Sequence, residues 1–360
     1  FAQVTNPPID PLREDCVMSL STQIGREGNI FHDGPENVDH VLLNSPVLSQ
    51  RKLHQLLALP RFAASHRYID LYFDAESSLE LALERICAEA EDAARAGIEL
   101  LILSDRRPRR DTAAVHALLA TGAVHQHLVR TGLRCEVNLI VETGTARDPH
   151  HFACLVGFGA TAVYPYLAYQ TLHALGRRGI LGGKASGEPQ QIGRSYRRGV
   201  KKGLLKILSK MGIGCIASYR GAQLFEIVGL GDDVVARCFD GTPSRIGGAG
   251  FERLEADAWH VAALGWDDCA LPEQGGLLRY VNGGEYHQYN PDVVQSLQHA
   301  VLTGDRADWK LYADTVNQRP PAALRDLLQL KLAATPLPLD EVEPIESIVR
   351  RFDSAAMSLG

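Results

Sequence analysis

Acidic and hydroxyl side chains follow several short apolar runs in this chain, and they are its best candidates for chemistry. Asp105 follows an apolar run at 98–103, and Glu142 follows another at 136–141. Because βα folds place reactive groups at the carboxyl ends of parallel strands, these two carboxyls could act as an acid and a base. Either could equally accept hydrogen bonds from the backbone of a neighbouring loop. The same position relative to apolar runs adds six further candidates: Ser104, Thr143, Tyr164, Ser218, Tyr219 and Arg220.

Two glycine-rich motifs resemble nucleotide-binding sequences, but neither has the context that such a site needs. At 182–185, the preceding glycine is one place off the phosphate-loop spacing, and Ala185 replaces the Ser or Thr that would hold magnesium. The motif at 157–162 lies between a predicted helix and a predicted strand, the reverse of the order in a dinucleotide fingerprint. We interpret the first motif as part of a mobile loop over 175–193 and the second as a helix end.

The histidines and cysteines show no metal-binding or nucleophilic pattern. His125 and His127 would point to different sides of a helix, and the adjacent His150 and His151 predict partly exposed polar contacts. The seven cysteines occur singly and without CxxC spacing, which fits neither a disulfide framework nor a zinc site. Free cysteines of this kind indicate a reducing compartment, and we expect a cytoplasmic protein. The GxSxG motif of a serine hydrolase is absent from the sequence.

The elements that must position these residues alternate between short apolar strands and amphipathic helices. Such alternation predicts parallel strands covered by helices, and repeats of roughly 25–35 residues suit a βα barrel. About five repeats can be recognised, so we predict an α/β fold with a partial or degenerate (βα)8-barrel-like domain, followed by a mainly helical C-terminal extension. The predicted strands are 68–73, 98–103, 136–141, 160–164 and 213–217, and the predicted helices are 50–57, 78–94, 112–130 with a break near Gly122, 196–211 and 221–228.

A glycine- and proline-containing stretch near residues 271–276 predicts a domain boundary. We expect a first domain over residues 1–275 and a second over residues 276–360. The second contains predicted helical segments at 291–302, 308–318 and 322–330 and a proline-punctuated linker at 335–340.

One helix of the first domain, predicted over residues 194–210, is basic on one side and apolar on the other. We interpret it as an ordinary surface helix, in which charged ends reach water above a buried apolar face. The alternative is a docking surface for an acidic partner domain.

Composition excludes several classes of function. The chain has 360 residues, 45% of them hydrophobic, and a formal net charge of −6. A weakly acidic protein lacks the basic field that nucleic acids or membrane surfaces require, so we expect neither as a partner. No apolar run approaches the roughly 20 residues that span a bilayer. The missing Met at position 1 and the ending in small residues lead us to expect a segment of a longer polypeptide.

Several longer stretches closely resemble one family, the large subunit of glutamate synthase. Residues 1–14 resemble the opening of the central domain in that family, and residues 218–231 give the longest match within it. Shorter matches to the same domain lie at 102–106, 150–152, 206–213 and 239–248, and matches to the start of the FMN-binding domain lie at 282–291, 342–346 and 356–360.

The resemblance implies an enzyme that converts glutamine, 2-oxoglutarate and a reductant into two molecules of glutamate. Its glutaminase domain releases ammonia, which passes through an internal tunnel to an FMN domain supplied with electrons through an iron–sulfur cluster. The electrons come from NADPH or from ferredoxin, and the sequence leaves these two donors open. The implied partners are the glutaminase and FMN domains of the same polypeptide and, where NADPH is the donor, a small NADPH-oxidising subunit.

The resemblance also implies that the central domain binds no cofactor and forms part of the tunnel wall. By resemblance, Thr5, Asn6 and Ile9 line the ammonia path, while Met357 and Ser358 contact FMN only in the complete protein. An extended, proline-stiffened strand suits such a wall, because helix hydrogen bonds do not consume its backbone groups.

We accordingly expect no catalytic residue in this segment and no activity when it is isolated. The rival interpretation is a self-contained βα-barrel enzyme that uses Asp105, Glu142 and Tyr219.

Overall fold

The computed structural model describes residues 14–29, 31–32, 34–181, 188–267, 275–277 and 279–352. The chain divides into two compact units, a first that reaches from Phe1 to Asp268 and a second over Cys269–Ser358. In chain order, the strands are β1 (Thr22–Ile24), β2 (Val41–Leu43), β3 (His66–Asp70), β4 (Tyr72–Asp74), β5 (Leu100–Ser104), β6 (Thr112–Ala114), β7 (Asn138–Glu142), β8 (Ala162–Tyr164), β9 (Ile227–Leu230) and β10 (Ser244–Ala249). The α-helices are α1 (Glu14–Val17), α2 (Gln50–Leu57), α3 (Pro60–Ala63), α4 (Leu79–Arg95), α5 (Ala117–Arg130), α6 (Pro149–Gly157), α7 (Tyr166–Arg177), α8 (Pro189–Met211), α9 (Ile216–Tyr219), α10 (Asp232–Cys238), α11 (Phe251–Gly265), α12 (Pro291–Thr303), α13 (Arg306–Gln318) and α14 (Ile345–Phe352).

A parallel sheet with the order β3-β5-β7-β8 forms the centre of the first unit. Consecutive strands lie side by side, with helices α4, α5 and α6 in the connections between them. This arrangement confirms the predicted α/β class and the parallel pairing of strand–helix repeats. It also brings the carboxyl ends of all four strands to one edge of the sheet.

Both faces of this sheet are buried, which explains the nearly continuous apolar character of its strands. Leu101, Leu103 and Val141 belong to the larger core, together with the apolar sides of α4, α5 and α6. The alternate residues, such as Ile102 and Ile140, point to the other face and pack with α2 and α3.

Polar caps define where three helices of the first unit begin. The side chains of Ser49 and Ser78 accept hydrogen bonds from backbone N–H groups in the first turns of α2 and α4. Asp148 does the same for α6, whose first helical residue is Pro149. Each of these caps satisfies N–H groups that have no acceptor within the helix itself.

The fifth predicted strand, at 213–217, is wrong. In its place the backbone makes a single parallel bridge between Ser19 and Cys215 and then turns into α9. The helix predicted over 221–228 is also wrong, because Ile227 already belongs to β9, which pairs in parallel with β10. Apolar residues in short runs allow either strand or helix, and here tertiary pairing decided between them.

The region predicted as one helix over 112–130 contains a short strand and a helix. Residues 112–114 form β6, which pairs antiparallel with β4, and α5 begins at Ala117. The predicted break near Gly122 is wrong, since α5 is continuous through it. A Cβ atom at Gly122 would come within 2.2 Å of the carbonyl oxygen of Cys238, so this glycine permits a close helix contact rather than a bend.

The loop predicted over 175–193 is shorter than expected, because α7 extends to Arg177 and α8 already begins at Pro189. The glycine motif at 182–185 lies outside the described residues. Helix α8 buries Leu204, Leu205 and Leu208, and its basic side chains lie on the opposite, more exposed side. This is the arrangement expected of a surface helix.

The described part of the second unit is helical, and α12 and α13 form its main pair. Both agree closely with the predicted segments. The third predicted segment, at 322–330, is wrong for most of its length, since only a short 3-10 turn over Leu324–Leu327 forms there. Within the described residues of the chain, no helix is both long and apolar enough to cross a membrane.

Candidate functional site

The carboxyl edge of the parallel sheet brings five of the sequence-predicted residues together. Ser104 pairs with Glu142 in the β5–β7 register, and Glu142 pairs with Tyr164 in the β7–β8 register. Asp105 and Thr143 immediately follow these strand ends, so they lie at the same edge. Parallel pairing therefore produces the constellation that the sequence could only suggest.

The carboxylate of Glu142 is buried and fully engaged. Its Oε2 accepts a hydrogen bond of 2.6 Å from the hydroxyl of Ser104, and its Oε1 lies 3.0 Å from Nη1 of Arg106. The guanidinium of Arg106 also lies 5.7 Å from the ring centres of both Tyr164 and Tyr166. Glu142 is thus held by a cation that two aromatic rings help to place.

The carboxylate of Asp105 is held by the loop that follows β7. Its Oδ2 accepts a hydrogen bond of 2.5 Å from the hydroxyl of Thr143, and its Oδ1 accepts one of 2.9 Å from the backbone N–H of Gly144. Burial raises the pKa of Asp105 above its ordinary value, although these two hydrogen bonds act in the opposite direction. The sequence analysis left two functions open for Asp105, an acid or base in catalysis and an acceptor of hydrogen bonds from a loop backbone. The observed geometry matches the second.

Two tyrosines secure the backbone at the same point. The hydroxyls of Tyr72 and Tyr166 donate hydrogen bonds of 2.8 and 3.0 Å to the carbonyl oxygen of Asp105. Burial raises the pKa of Tyr72 to about 12, and it raises the pKa of Tyr166 as well. Both phenols therefore stay protonated at neutral pH and remain donors.

A cavity of about 1070 Å³ opens beside this edge. Asp105, Arg106 and Thr145 form its floor, and apolar side chains of β9 and α11 form much of the remaining wall. A concave, largely apolar site at the carboxyl edge of a parallel sheet is where a ligand would be sought.

A cysteine and a histidine that the sequence did not single out as a pair line this cavity. The Sγ atom of Cys154 lies 3.5 Å from Nε2 of His150, one helical turn away in α6. Burial, followed by the carboxylate of Asp148, raises the pKa of Cys154 to about 11. Since the thiolate is the nucleophile, this pair lacks the activation that catalysis would require. The spacing of four residues on a helix is the signal that could have revealed it.

His116 is a second cavity residue that sequence reasoning missed. It precedes α5, and its Nδ1 accepts a hydrogen bond of 3.2 Å from the N–H of Leu118. Its side chain lines the cavity and is exposed, but desolvation by the neighbouring protein lowers its pKa, with the nearby His151 as a smaller cause. Its function as a helix cap accounts for the neutral imidazole.

The remaining candidates do not join this edge. Because no strand forms at 213–217, Ser218, Tyr219 and Arg220 do not stand at a strand end. Tyr219 is buried, with 2% of its surface exposed, and its ring packs 6.2 Å from that of Phe225. The acid–base set of Asp105, Glu142 and Tyr219 is therefore not assembled as the rival interpretation requires.

The paired histidines serve separate partners. His125 accepts a hydrogen bond from Arg134, whereas His127 lies 2.6 Å from a carboxylate oxygen of Glu91. His151 takes part in the N-terminal cap of α6. In the parts of the chain that the structure describes, no group of three or more His, Cys, Asp or Glu side chains is arranged to hold a metal ion.

The cavity does not fit FMN. A flavin phosphate is bound by free backbone N–H groups at a turn or helix N-terminus. Here the N–H of Leu118 at the start of α5 already donates to His116, and the N–H of Gly144 already donates to Asp105. The carboxylates of Asp105 and Asp257 in the wall would also repel a phosphate. The residues expected to line the ammonia path (Thr5, Asn6 and Ile9) and to contact FMN (Met357 and Ser358) lie outside the described residues.

Comparison with protein-family profiles matches most of the chain. Residues 1–231 match the glutamate synthase central domain, and residues 287–360 match a conserved region in glutamate synthase. Ferredoxin-dependent glutamate synthase 1 of Arabidopsis thaliana, a chloroplastic and mitochondrial protein, is 42% identical over 374 residues. The large chain of the NADPH glutamate synthase of Bacillus subtilis is 40% identical over 362 residues. Both alignments cover 100% of this chain but 23% of the relative, so the chain spans about a quarter of their length.

Solved structures show only partial similarity. The flavin-binding domain of baker's yeast flavocytochrome b2 has a TM-score of 0.30 and 14% identity, covering 55% of this chain and 45% of that domain. An IMP dehydrogenase/GMP reductase-like protein of Corynebacterium glutamicum has a TM-score of 0.30 and 18% identity, covering 48% of this chain and 58% of its own.

Proposed function

Because the chain belongs to the glutamate synthase family, we propose that it is a segment of an enzyme that forms two glutamates from glutamine, 2-oxoglutarate and a reductant. The complete enzyme is in this proposal an oxidoreductase acting on CH–NH2 groups. Within it, this segment is a non-catalytic scaffold that lines the ammonia path between the glutaminase site and the FMN site.

The main support for the scaffold proposal is that the carboxylates of Asp105 and Glu142, at the edge of the sheet, are both hydrogen-bonded to the protein itself. The carboxylate of Glu142 accepts hydrogen bonds from Ser104 and Arg106, and the carboxylate of Asp105 accepts them from Thr143 and Gly144. A general acid or base needs a position from which it can reach substrate, whereas these groups bond to the scaffold itself. Their geometry supports a structural function for the edge.

We propose that the complete enzyme contains FMN and an iron–sulfur cluster and that this segment binds neither. Met357 and Ser358 would contact FMN there, within a second domain proposed to begin at residue 276, after a central domain over residues 1–275. The proposed partners are the glutaminase and FMN domains of the same polypeptide and, if the electron donor is NADPH rather than ferredoxin, a small NADPH-oxidising subunit. We propose a cytoplasmic location, which the six described cysteines, all free, support.

The test measures coupling between the two half-reactions in the complete enzyme. Substituting Thr5→Val or Asn6→Ala should raise the ratio of glutamine hydrolysed to 2-oxoglutarate converted, because the altered wall lets ammonia escape to solution. Synthesis from added ammonium should persist, since the FMN site is unchanged. The matched control is Asn317→Ala, at an exposed position of α13.

Unchanged coupling in both variants, together with a normal response of the control, would refute the tunnel-wall function. Formation of glutamate by the 360-residue chain with added flavin and reductant would instead favour the self-contained enzyme. In that case Asp105→Asn should abolish the reaction.

A further inference from the structure

Two arginines converge on residues 159–161 near the amino edge of the parallel sheet, and neither lines the cavity described above. Arg134 belongs to the 3-10 turn Arg134–Glu136 that leads into β7, and Arg220 directly follows α9. The neighbours that they contact also lie near strand starts, since Thr22 begins β1 and Gly159 precedes β8. Both side chains are partly exposed, so the cluster can be reached from solvent.

Among the residues that the structure describes, the hydrogen-bond acceptors of Arg134 are all neutral. Its Nε donates a hydrogen bond of 3.0 Å to Nδ1 of His125, and its Nη1 and Nη2 donate bonds of 2.7 and 2.8 Å to the carbonyl oxygens of Val137 and Gly159. Because the imidazole accepts a hydrogen bond, it must be neutral at Nδ1. Burial lowers the pKa of His125 to about 4, in agreement with that state. The guanidinium is therefore positioned by three bonds, but none of these acceptors carries a negative charge.

Arg220 is less completely bonded. Its Nη2 donates a hydrogen bond of 3.1 Å to the hydroxyl of Thr22. Its Nε atom is buried and has no hydrogen-bond partner among the residues that the structure describes. A buried N–H group without an acceptor costs about 1–3 kcal/mol, so an unpaired donor of this kind calls for an explanation.

The surroundings of Arg134 and Arg220 disfavour the charged form of both side chains. Burial lowers the pKa of Arg134 to about 10, and the charge of Arg220 acts in the same direction. Burial likewise lowers the pKa of Arg220. Glu27 opposes both shifts, but its side chain is exposed and it forms no ion pair with either guanidinium within the described part of the chain. One exposed carboxylate thus acts on two cations that the surrounding protein partly shields from water.

We propose that Arg134 and Arg220 form a binding site for a carboxylate, which the orphan Nε–H of Arg220 and the free N–H groups of both guanidiniums would engage. A guanidinium fork matches the planar, two-oxygen geometry of a carboxylate and can donate two parallel hydrogen bonds to it. The carboxylate can come from an Asp or Glu side chain in the part of the polypeptide outside this chain, or from a free dicarboxylate. The chemistry is the same for both sources.

The first experiment measures urea unfolding of the 360-residue chain with increasing glutarate, at an ionic strength kept constant with sodium chloride. At a glutarate concentration tenfold above its Kd, the unfolding equilibrium constant should fall about elevenfold. The variant Arg220→Met should lose this response, and Arg220→Lys, which keeps the charge but not the fork, should reduce it. Arg51→Met, at an exposed position of α2, is the matched control and should respond like the unaltered chain.

The second experiment compares this chain with the complete polypeptide and separates the two sources. If glutarate stabilises both proteins, the natural ligand is a free dicarboxylate. If a carboxylate of the same polypeptide occupies the site, glutarate has no effect on the complete protein, and Arg220→Met destabilises the complete protein more than the isolated chain. Equal behaviour of Arg220→Met and Arg51→Met in both proteins and both assays would overturn the proposal.

Discussion

Asp105 shows how one residue can look catalytic in sequence and be structural in the fold. It stands at the carboxyl edge of the sheet, where βα enzymes place their acids and bases. Its two carboxylate oxygens are nevertheless bonded to Thr143 and Gly144, and two tyrosines bond its backbone carbonyl. Residue type and position suggested chemistry, whereas the partners indicate that the carboxylate orders the loop after β7.

The raised pKa of Asp105 predicts a pH-dependent effect of the substitution Asp105→Asn. A carboxyl whose pKa is higher in the folded than in the unfolded state stabilises the fold at low pH and loses that contribution as the pH rises through the folded pKa. The free energy of unfolding in urea is measured for the unaltered protein and for Asp105→Asn from pH 3 to pH 7. As the pH rises, the stability of the unaltered protein should fall relative to that of Asp105→Asn.

Asp92→Asn is the control for this experiment, because Asp92 is exposed on α4 and its side chain has no hydrogen bond or ion pair with the residues that the structure describes. Its measurement over the same pH range separates the effect of Asp105 from that of removing one exposed carboxyl group. A difference for Asp105→Asn that is flat, or that falls as the pH rises, would contradict the assignment of a raised pKa.

At the scale of elements, α8 shows how glycines inside one helix can have opposite functions. A Cβ atom at Gly203 would come within 2.3 Å of the ring of Pro149 at the start of α6. A Cβ atom at Gly199 would meet nothing within 4 Å. The first glycine allows two helices to approach closely, while the second only weakens the helix by its flexibility.

We predict that Gly203→Ala destabilises the protein by about 1–3 kcal/mol, because α8 and α6 must separate or distort to admit the methyl group. Gly199→Ala should instead stabilise it by about 0.5–1 kcal/mol through helix propensity. Urea unfolding of both variants measures the two effects in one helix. Equal and favourable effects at both sites would show that α6 and α8 do not pack as described.

The limits of sequence reasoning also become clear at this scale. Helices with a polar cap and a clear apolar side, such as α2 and α4, are predicted within a few residues of their observed bounds. The run at 213–217 was predicted as a strand on its apolar and β-branched content, but it finds only a single bridge partner, at Ser19. Short apolar runs do not specify their own pairing, so the surrounding fold decides.

For the whole molecule, the two compact units differ in how much apolar surface they bury. Unit one contains two cores that cover both faces of the sheet. Among the described residues of the second unit, only Val293 and Ala300 are buried apolar residues. Since apolar burial is the main favourable term in folding, the second unit has the weaker basis for stability.

We therefore expect the second unit to unfold at a lower urea concentration than the first. Tryptophan fluorescence can follow each unit, because Trp259 packs 5.7 Å from Phe73 in the first unit and Trp309 lies 5.2 Å from Tyr312 in the second. The variant Trp309→Phe reports on the first unit, and the double variant Trp259→Phe, Trp266→Phe reports on the second. Coincident transitions in the two variants would show that the chain unfolds as one cooperative body.

The sequence by itself determined the α/β class, the approximate positions of strands β3, β5, β7 and β8 in the chain, several helix starts and the family. These features depend on local periodicity, on caps within a few residues, and on long matched stretches. Only the tertiary structure decided how the charged groups are used. Ser104 and Glu142 are 38 residues apart, and Thr22 and Arg220 are 198 residues apart, yet each pair is joined by a hydrogen bond. Such contacts arise from strand register and helix packing, which bring distant residues together in ways that local sequence patterns do not record.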